Sequence, residues 1–249
     1  MKEFHILNGD ALNDRFPDSV NGEIIVAREC LIDGPVFGET LEDFFSVRSN
    51  YLNNQYSGVH PDYSEDVGPE FKRIIELPEE STVNLWFEDD LFCQLNFWFC
   101  CSLISEYASP KQTFLVRPHT NLQYGIGGLD SNGLVQAFQT RVELTPKDVE
   151  LFSTLWKLYQ KNEHAVILRL SEQNEEKFPF LSAAAQANLD RFPADGSPGR
   201  PELSLLDIMK ETGSDEFGPV FREFHKRESI YGFGDLQVKR LFDELRNSK

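Results

Sequence analysis

The stretch "FHILNGD", residues 4–10, begins with an apolar run and stops abruptly at Asn-Gly-Asp. A short apolar run without polar alternation is typical of a strand buried on both faces. A glycine directly after such a run permits a tight bend, and an aspartate there could cap the next helix or project into a crevice. The stretch therefore predicts the first strand of an α/β sheet, with Asn8, Gly9 and Asp10 at its carboxyl end.

Three more segments of the same character follow, at residues 23–27, 82–87 and 113–116. Segments with helical spacing of apolar residues lie between the strands, at 11–16, 41–52 and 91–107. Strands that alternate with helices in this way are typical of a parallel sheet. The fold class predicted for residues 1–125 is thus an α/β domain with a Rossmann-like parallel sheet.

Helical patterns dominate the remainder of the chain. In "LTPKDVELFSTLWKLYQ", residues 144–160, Thr145 is placed to cap a helix that Pro146 begins and Asp148 supports. The stretch "FPADGSPGRPE", residues 192–202, is rich in Pro and Gly and is typical of a linker. We predict a helical extension over residues 126–195 and a small C-terminal helical unit over 196–249, compatible with a winged helix or with a plain helical cap.

Composition restricts the class of partner and the compartment. The formal charge of −17 over 249 residues disfavours nucleic acid as a partner, because no run of Lys and Arg forms a basic face. The four cysteines form no CxxC pair and lie in apolar surroundings, which favours buried thiols in a reducing compartment. No apolar run is long enough to cross a bilayer, and the first residues do not read as a secretory signal. We expect a cytoplasmic protein without a membrane partner.

Polar and charged residues follow every predicted strand. Because the carboxyl ends of parallel strands meet at one edge of the sheet, they predict a ligand site there. Arg28 and Arg117, with His119, could hold a phosphate group. The predicted ligand-binding residues are Asn8, Gly9, Asp10, Arg28, Glu29 and Arg117. The predicted ligands for Mg²⁺ or Mn²⁺ are Asp10, Glu29 and Asp90.

Each of these residues also has a structural interpretation. An aspartate after a strand is a favoured helix cap, and Arg28 could form a structural ion pair with a nearby carboxylate. The acidic stretch "FEDDLF", residues 87–92, suits the first turn of a helix. The stretch "YGIGG", residues 124–128, resembles a phosphate-binding loop only weakly, since it lacks the GxGxxG spacing and a P-loop lysine.

Several motifs together resemble a known family. They are "HILNGDAL", "VARECLIDGPV", "WFEDDLFCQLNFW", "LTPKDVELFSTLWKLY", "FPFLSAAAQANLDRFP", "PGRPELSLLDIMKETG" and "GFGDLQV". In this order they resemble the uncharacterised bacterial family known as domain of unknown function 1835, together with its C-terminal companion domain, over nearly the whole chain. In that family the sequence Gly-Leu-Gly-Arg usually leads into the companion domain, and the corresponding segment here is the variant "GSPGRPE". The resemblance implies one recurring design for the strand-end motifs, and it implies no established activity.

Two hypotheses of function follow. In the first, a small anionic ligand, a nucleotide or another phosphate compound with or without a divalent cation, binds at the strand ends. In an enzymatic version Asp10 and Asp90 bind the metal and Arg28 stabilises developing phosphate charge. In the second, the protein is a non-catalytic regulatory or interaction protein whose C-terminal helical unit contacts a protein or DNA, and the strong acidity argues against DNA as the main partner.

Overall fold

The computed structural model describes residues 1–56, 62–118, 125–213 and 216–247. A five-stranded sheet runs through it in the order β2-β1-β3-β4-β5. The strands are β1 (Lys2–Leu7), β2 (Glu23–Val26), β3 (Ser81–Trp86), β4 (Gln112–Val116) and β5 (Val142–Leu144). The first four pair in parallel, and β5 pairs antiparallel with β4. The α/β class and the four predicted strands are confirmed, whereas β5 was not predicted because it is only three residues long and mostly exposed.

Eleven α-helices lie in the described residues. They are α1 (Asp10–Asn13), α2 (Leu41–Gln55), α3 (Gly68–Ile75), α4 (Leu91–Tyr107), α5 (Ser131–Gln139), α6 (Pro146–Gln160), α7 (His164–Gln173), α8 (Leu181–Asp190), α9 (Arg200–Thr212), α10 (Phe217–Arg227) and α11 (Asp235–Asn247). A π turn, Tyr63–Val67, precedes α3, and two 3-10 turns span Gly125–Gly128 and Ser229–Tyr231.

The start of α6 is as predicted. The hydroxyl of Thr145 accepts a hydrogen bond from the backbone N–H of Asp148, and the Asp148 carboxylate accepts one from the backbone N–H of Thr145 at 2.6 Å. This reciprocal capping box satisfies two N–H groups that the first helical turn leaves unpaired. Pro146 follows at the first helical position, where the missing N–H costs nothing.

Aromatic side chains build much of the core. Phe99 of the long buried helix α4 contacts Phe44, Phe71 and Trp156, which come from α2, α3 and α6, with ring centroids about 5 Å apart. A second cluster gathers Leu7, Trp86 and Val116 from three neighbouring strands with residues of α1 and α5. The burial of α4 confirms the buried helix predicted at residues 91–107. No helix in the described part of the chain is both long and apolar enough to span a membrane.

All four cysteines are buried, as predicted from their surroundings, and none of them forms a disulfide. Burial raises the pKa of the thiols of Cys100 and Cys101, so both stay protonated and unreactive at neutral pH.

The chain divides into two compact units. The first comprises Met1–Asp89 and Cys93–Asn162, and the second comprises Asp90–Phe92 and Glu163–Lys249. The boundaries predicted from sequence, at residues 125 and 195, fall inside these units. The described part of the second unit contains α7 to α11 and no strand.

Candidate functional site

The four parallel strands end level with one another. Leu7 of β1 lies opposite Val26 of β2 and Trp86 of β3, and Trp86 lies opposite Val116 of β4. The residues that follow these four positions therefore emerge at one edge of the sheet, as the prediction of a site requires.

The turn after β1 is built on Gly9. Its φ of 87° lies in the left-handed region that favours glycine, and its N–H bonds to the carbonyl of Leu7 at 3.1 Å. Apart from its two chain neighbours, no described residue has an atom within 4 Å of the position that a Cβ at Gly9 would occupy, so the turn is open on this side. Asn8, just before it, is fixed on both sides: its amide nitrogen donates to Cys93 Sγ at 2.9 Å, and its oxygen accepts from Asn96 at 2.8 Å.

Asp10 and Arg28 form an ion pair across the ends of β1 and β2. Arg28 Nε lies 2.8 and 2.9 Å from the two carboxylate oxygens of Asp10, and Nη2 lies 2.8 Å from Oδ1. Arg28 Nη1 donates to the backbone carbonyl of Asp66 at 3.1 Å. The side chain of Asp10 is 50% exposed and that of Arg28 is 23% exposed. The ion pair suggested for Arg28 is confirmed, and both side chains of the pair are partly exposed to solvent.

Glu29 turns the other way, into the protein. Arg48 Nε and Nη2 each lie 2.8 Å from one of its carboxylate oxygens, and both side chains are fully buried. The hydroxyl of Tyr63 and the backbone N–H of Cys30 also donate to Glu29, at 3.0 and 2.6 Å. Arg48 donates further to the backbone carbonyls of Cys30, Asp33 and Pro35. Every oxygen of Glu29 is occupied, so the geometry gives no support to the ligand and metal roles predicted for it.

The protonation states of Arg48 and Tyr63 follow from their burial and from the Glu29 carboxylate beside them. Burial disfavours the charged guanidinium, but the adjacent Glu29 carboxylate outweighs it and raises the pKa of Arg48. Burial, together with the same carboxylate, raises the pKa of Tyr63. Arg48 stays protonated and Tyr63 stays neutral, which keeps both as hydrogen-bond donors to Glu29.

Two residues at the end of β3 are engaged with other loops. Asp89 pairs with Arg117, which follows β4, through Nε at 2.8 Å and a second short contact. Glu88 accepts a hydrogen bond from the backbone N–H of Gly127 at 3.1 Å. The carboxylate of Glu88 also packs so closely on Gly125 that a Cβ there would overlap it. The weak phosphate-loop motif therefore holds a carboxylate of the protein itself.

Asp90 belongs to the second unit, where its carboxylate packs against Gly232. Asp10 thus faces Arg28, Glu29 faces Arg48, and Asp90 lies among the contacts of the C-terminal helices. The structure gives the three predicted metal ligands separate partners. His119 and Tyr124, which the sequence also singled out, lie outside the described residues.

We did not predict the roles of Arg48 and Asn96 from the sequence, although the position of each residue in its helix indicates that it is buried. Phe44, Arg48 and Leu52 are spaced four residues apart on α2, so the arginine occupies a core position between two buried apolar residues. Asn96 interrupts the apolar run of α4, and its amide joins Asn8 to the backbone carbonyl of Glu29, each at 2.8 Å.

Basic residues at the end of α10 pair with neighbouring carboxylates. Arg227 pairs with Glu211 and Glu223, and Lys226 lies 3.5 Å from Glu223. The expectation that nucleic acid is not a partner stays a prediction.

No family model, no curated protein and no solved structure matches this chain. The resemblance to domain of unknown function 1835 stays a prediction.

Proposed function

We propose that this protein binds a small anionic ligand, a nucleotide or another phosphate compound, at the carboxyl edge of its parallel sheet. The observation that carries the proposal is the position of Arg28, a partly exposed guanidinium that is held at this edge beside the open turn at Gly9. Guanidinium groups bind phosphate through pairs of charge-assisted hydrogen bonds.

The hydrogen bonds of Arg28 leave part of its guanidinium group available to a ligand. Nε and Nη2 are directed to Asp10, and Nη1 donates one hydrogen to the carbonyl of Asp66. One N–H on each terminal nitrogen therefore has no partner among the described residues. Two such groups on one guanidinium match two oxygens of a phosphate.

The strand order supports the same place. The order 2-1-3-4-5 is that of the flavodoxin-like class of doubly wound sheets, with β5 reversed in direction here. In Rossmann-like and related sheets of this kind, ligands bind where the chain switches direction, which in this order is between β1 and β3. Asn8, Gly9 and Asp10 follow β1 at that point. The strand order is a fold-level analogy and supports the location, whereas Arg28 supports the charge of the ligand.

A divalent cation would fit this site through Asp10 rather than through the three carboxylates predicted together. Mg²⁺ and Mn²⁺ in phosphate sites commonly use one or two carboxylates, several waters and the phosphate oxygens themselves. The half-exposed carboxylate of Asp10 is placed to supply one such ligand.

The test is a calorimetric titration with inorganic phosphate, ADP and ATP, each with and without Mg²⁺, on the wild type and on Arg28→Met. A ligand at about a hundred times its Kd should also stabilise the fold by about 2.7 kcal/mol. Because a hydrogen bond to a charged group contributes about 1.5–3 kcal/mol, we expect Arg28→Met to weaken binding by roughly tenfold or more.

Arg222→Met is the matched control, since Arg222 is an exposed arginine of the second unit. Its affinity should equal that of the wild type. Equal affinity in Arg28→Met, or no heat and no thermal stabilisation with any of these anions, would remove the basis of the proposal. The alternative, a non-catalytic interaction protein that uses the C-terminal helices, stays a prediction.

A further inference from the structure

A groove in the first unit lies apart from the strand ends, between α2 and the π turn that leads into α3. Its volume is about 460 Å³, which is within the usual range of about 300–1,000 Å³ for small-molecule sites. One wall is a single face of α2, because the wall residues are spaced by one, three or four positions. These residues are Glu42, Phe45, Ser46, Ser49 and Asn50.

The floor of the groove is aromatic. The rings of Phe45 and Tyr63 have centroids 5.5 Å apart, and both line the groove. The Tyr63 hydroxyl is directed away, to Glu29, so this residue presents only apolar ring surface to a ligand. Gly68 packs closely against both aromatic residues. A Cβ at this position would lie 3.2 Å from the carbonyl oxygen of Tyr63 and 3.5 Å from the Phe45 ring.

The rim of the groove is rich in hydroxyl and amide groups. Ser46 and Ser49 are on the α2 side with the amide of Asn50, and Ser64 is on the opposite side. None of these four carries a charge, and the amide of Asn50 makes no hydrogen bond within the described residues.

One acidic and one basic side chain complete the lining. Glu42 and Lys72 both line the groove, and neither forms an ion pair within the part of the chain that the structure describes. Their charges cancel, which favours a ligand without net charge. A carboxylate accepts hydrogen bonds from ligand hydroxyls, and an ammonium group donates hydrogen bonds to them.

The backbone of the groove is unusual. A π turn is rare in proteins and is frequent at functional sites. Here the π turn Tyr63–Val67 starts on Asp62, whose carboxylate accepts from the N–H groups of Ser64 and Glu65 at 2.8 and 3.0 Å. This turn places Tyr63 on the floor and Ser64 on the rim.

We propose that this groove binds a sugar ring, either a free monosaccharide or the ribose of a nucleoside. The C–H face of a sugar packs on an aromatic ring, and its neighbouring hydroxyls need the mixed donors and acceptors found on the rim. None of its lining residues belongs to the anion site at the strand ends, and the two sites meet at the π turn, where Arg28 donates to the backbone carbonyl of Asp66.

The experiment is saturation-transfer NMR on the full chain with D-ribose, D-glucose and adenosine as separate probes. We expect saturation of the sugar-ring protons by the wild type. Ser49→Tyr fills the groove from the exposed side of α2 and should abolish the signal. Asn50→Ala removes one amide from an exposed helical position, where the fold tolerates the change, and should weaken binding at least threefold.

Arg222→Met is the matched control, because Arg222 is an exposed arginine of the second unit and its replacement should leave sugar saturation unchanged. Transfer of saturation to ribose and adenosine but not to glucose would identify the ligand as a nucleoside. Transfer to glucose as well would identify the ligand as a free sugar. The proposal fails if no probe is saturated, if only the base protons of adenosine are saturated, or if Ser49→Tyr gives the wild-type signal. A protein that binds phosphate at Arg28 and no sugar would retain the proposed function and lose only this inference.

Discussion

Arg48 and Glu29 form a two-point ion pair with both N–O distances at 2.8 Å, and neither side chain is exposed to solvent. The pair joins helix α2 to the loop that follows β2. Since Arg28 precedes Glu29 in that loop, the buried pair fixes the backbone from which the exposed guanidinium extends.

The first prediction concerns the cost of breaking this pair. Arg48→Met leaves the Glu29 carboxylate buried without its counter-charge, and we expect a loss of about 3–5 kcal/mol in the free energy of unfolding. Urea denaturation measures the loss. The double variant Arg48→Met/Glu29→Gln should lose less than the sum of the two single variants, because no isolated charge remains buried. Strict additivity would show that the two side chains do not depend on each other.

The second prediction concerns the turn that holds Glu88. Gly125 has a φ of 54°, and a Cβ there would overlap the Glu88 carboxylate. Gly125→Ala should therefore cost the left-handed backbone penalty of about 1–2 kcal/mol together with the displacement of Glu88. Thermal unfolding measures the loss.

A matched glycine separates these two contributions. Gly213 has a φ of 60°, and no described residue other than its chain neighbours has an atom within 4 Å of its Cβ position, so Gly213→Ala should show the backbone penalty alone. Adding Glu88→Ala to Gly125→Ala should restore part of the stability. Equal losses in Gly125→Ala and Gly213→Ala would mean that the carboxylate moves aside without cost.

The third prediction concerns pH and His5, which is fully buried. Trp86 Nε1 donates to His5 Nδ1 at 3.1 Å, so the ring proton is on Nε2, which donates to the carbonyl of Asn21. Burial, opposed by the Asn21 carbonyl, lowers the pKa of His5 below its ordinary value of 6.5. As pH falls through 6.5 the unfolded chain binds a proton that the folded chain does not, and stability decreases.

Urea denaturation at a series of pH values from about 7.5 to about 5.5 measures this dependence. His5→Gln should flatten it. Part of the slope should remain, because burial also lowers the pKa of His164. An unchanged slope in His5→Gln would show that other groups govern the acid response.

Most of the sheet could be predicted from the sequence, and the reason is local. The runs that end at Leu7 and Trp86 are mainly apolar and lack a regular alternation of polar and apolar residues, which is typical of strands buried on both faces. The partner of Arg48 could not be predicted in this way. Its position on the buried stripe of α2 shows only that it needs a carboxylate, and Glu29, Asp33 and Asp43 are all near in sequence. Only the packing of α2 on the loop after β2 selects Glu29.

The candidate site was predicted in part for the same reason. The sequence placed Asp10 and Arg28 at one edge of the sheet because both follow predicted strands. It could not determine which way the side chains turn, and Glu29, adjacent to Arg28, points into the core. A metal site of Asp10, Glu29 and Asp90 required all three to turn outward together.

The fourth prediction separates the two roles that Asp10 has in the proposed anion site. Asp10→Asn keeps the shape of the side chain and removes its charge, and the fold should lose less than about 1 kcal/mol because the ion pair with Arg28 is partly exposed. Without a cation, inorganic phosphate should bind more tightly to this variant, since the competing negative charge beside Arg28 is gone. With Mg²⁺, the affinity for ATP should no longer increase, since the proposed carboxylate ligand is lost. Calorimetric titration of both ligands tests the two effects separately. If Asp10→Asn weakens phosphate binding as strongly as Arg28→Met does, the carboxylate serves to orient the guanidinium, and the cation role assigned to it is wrong.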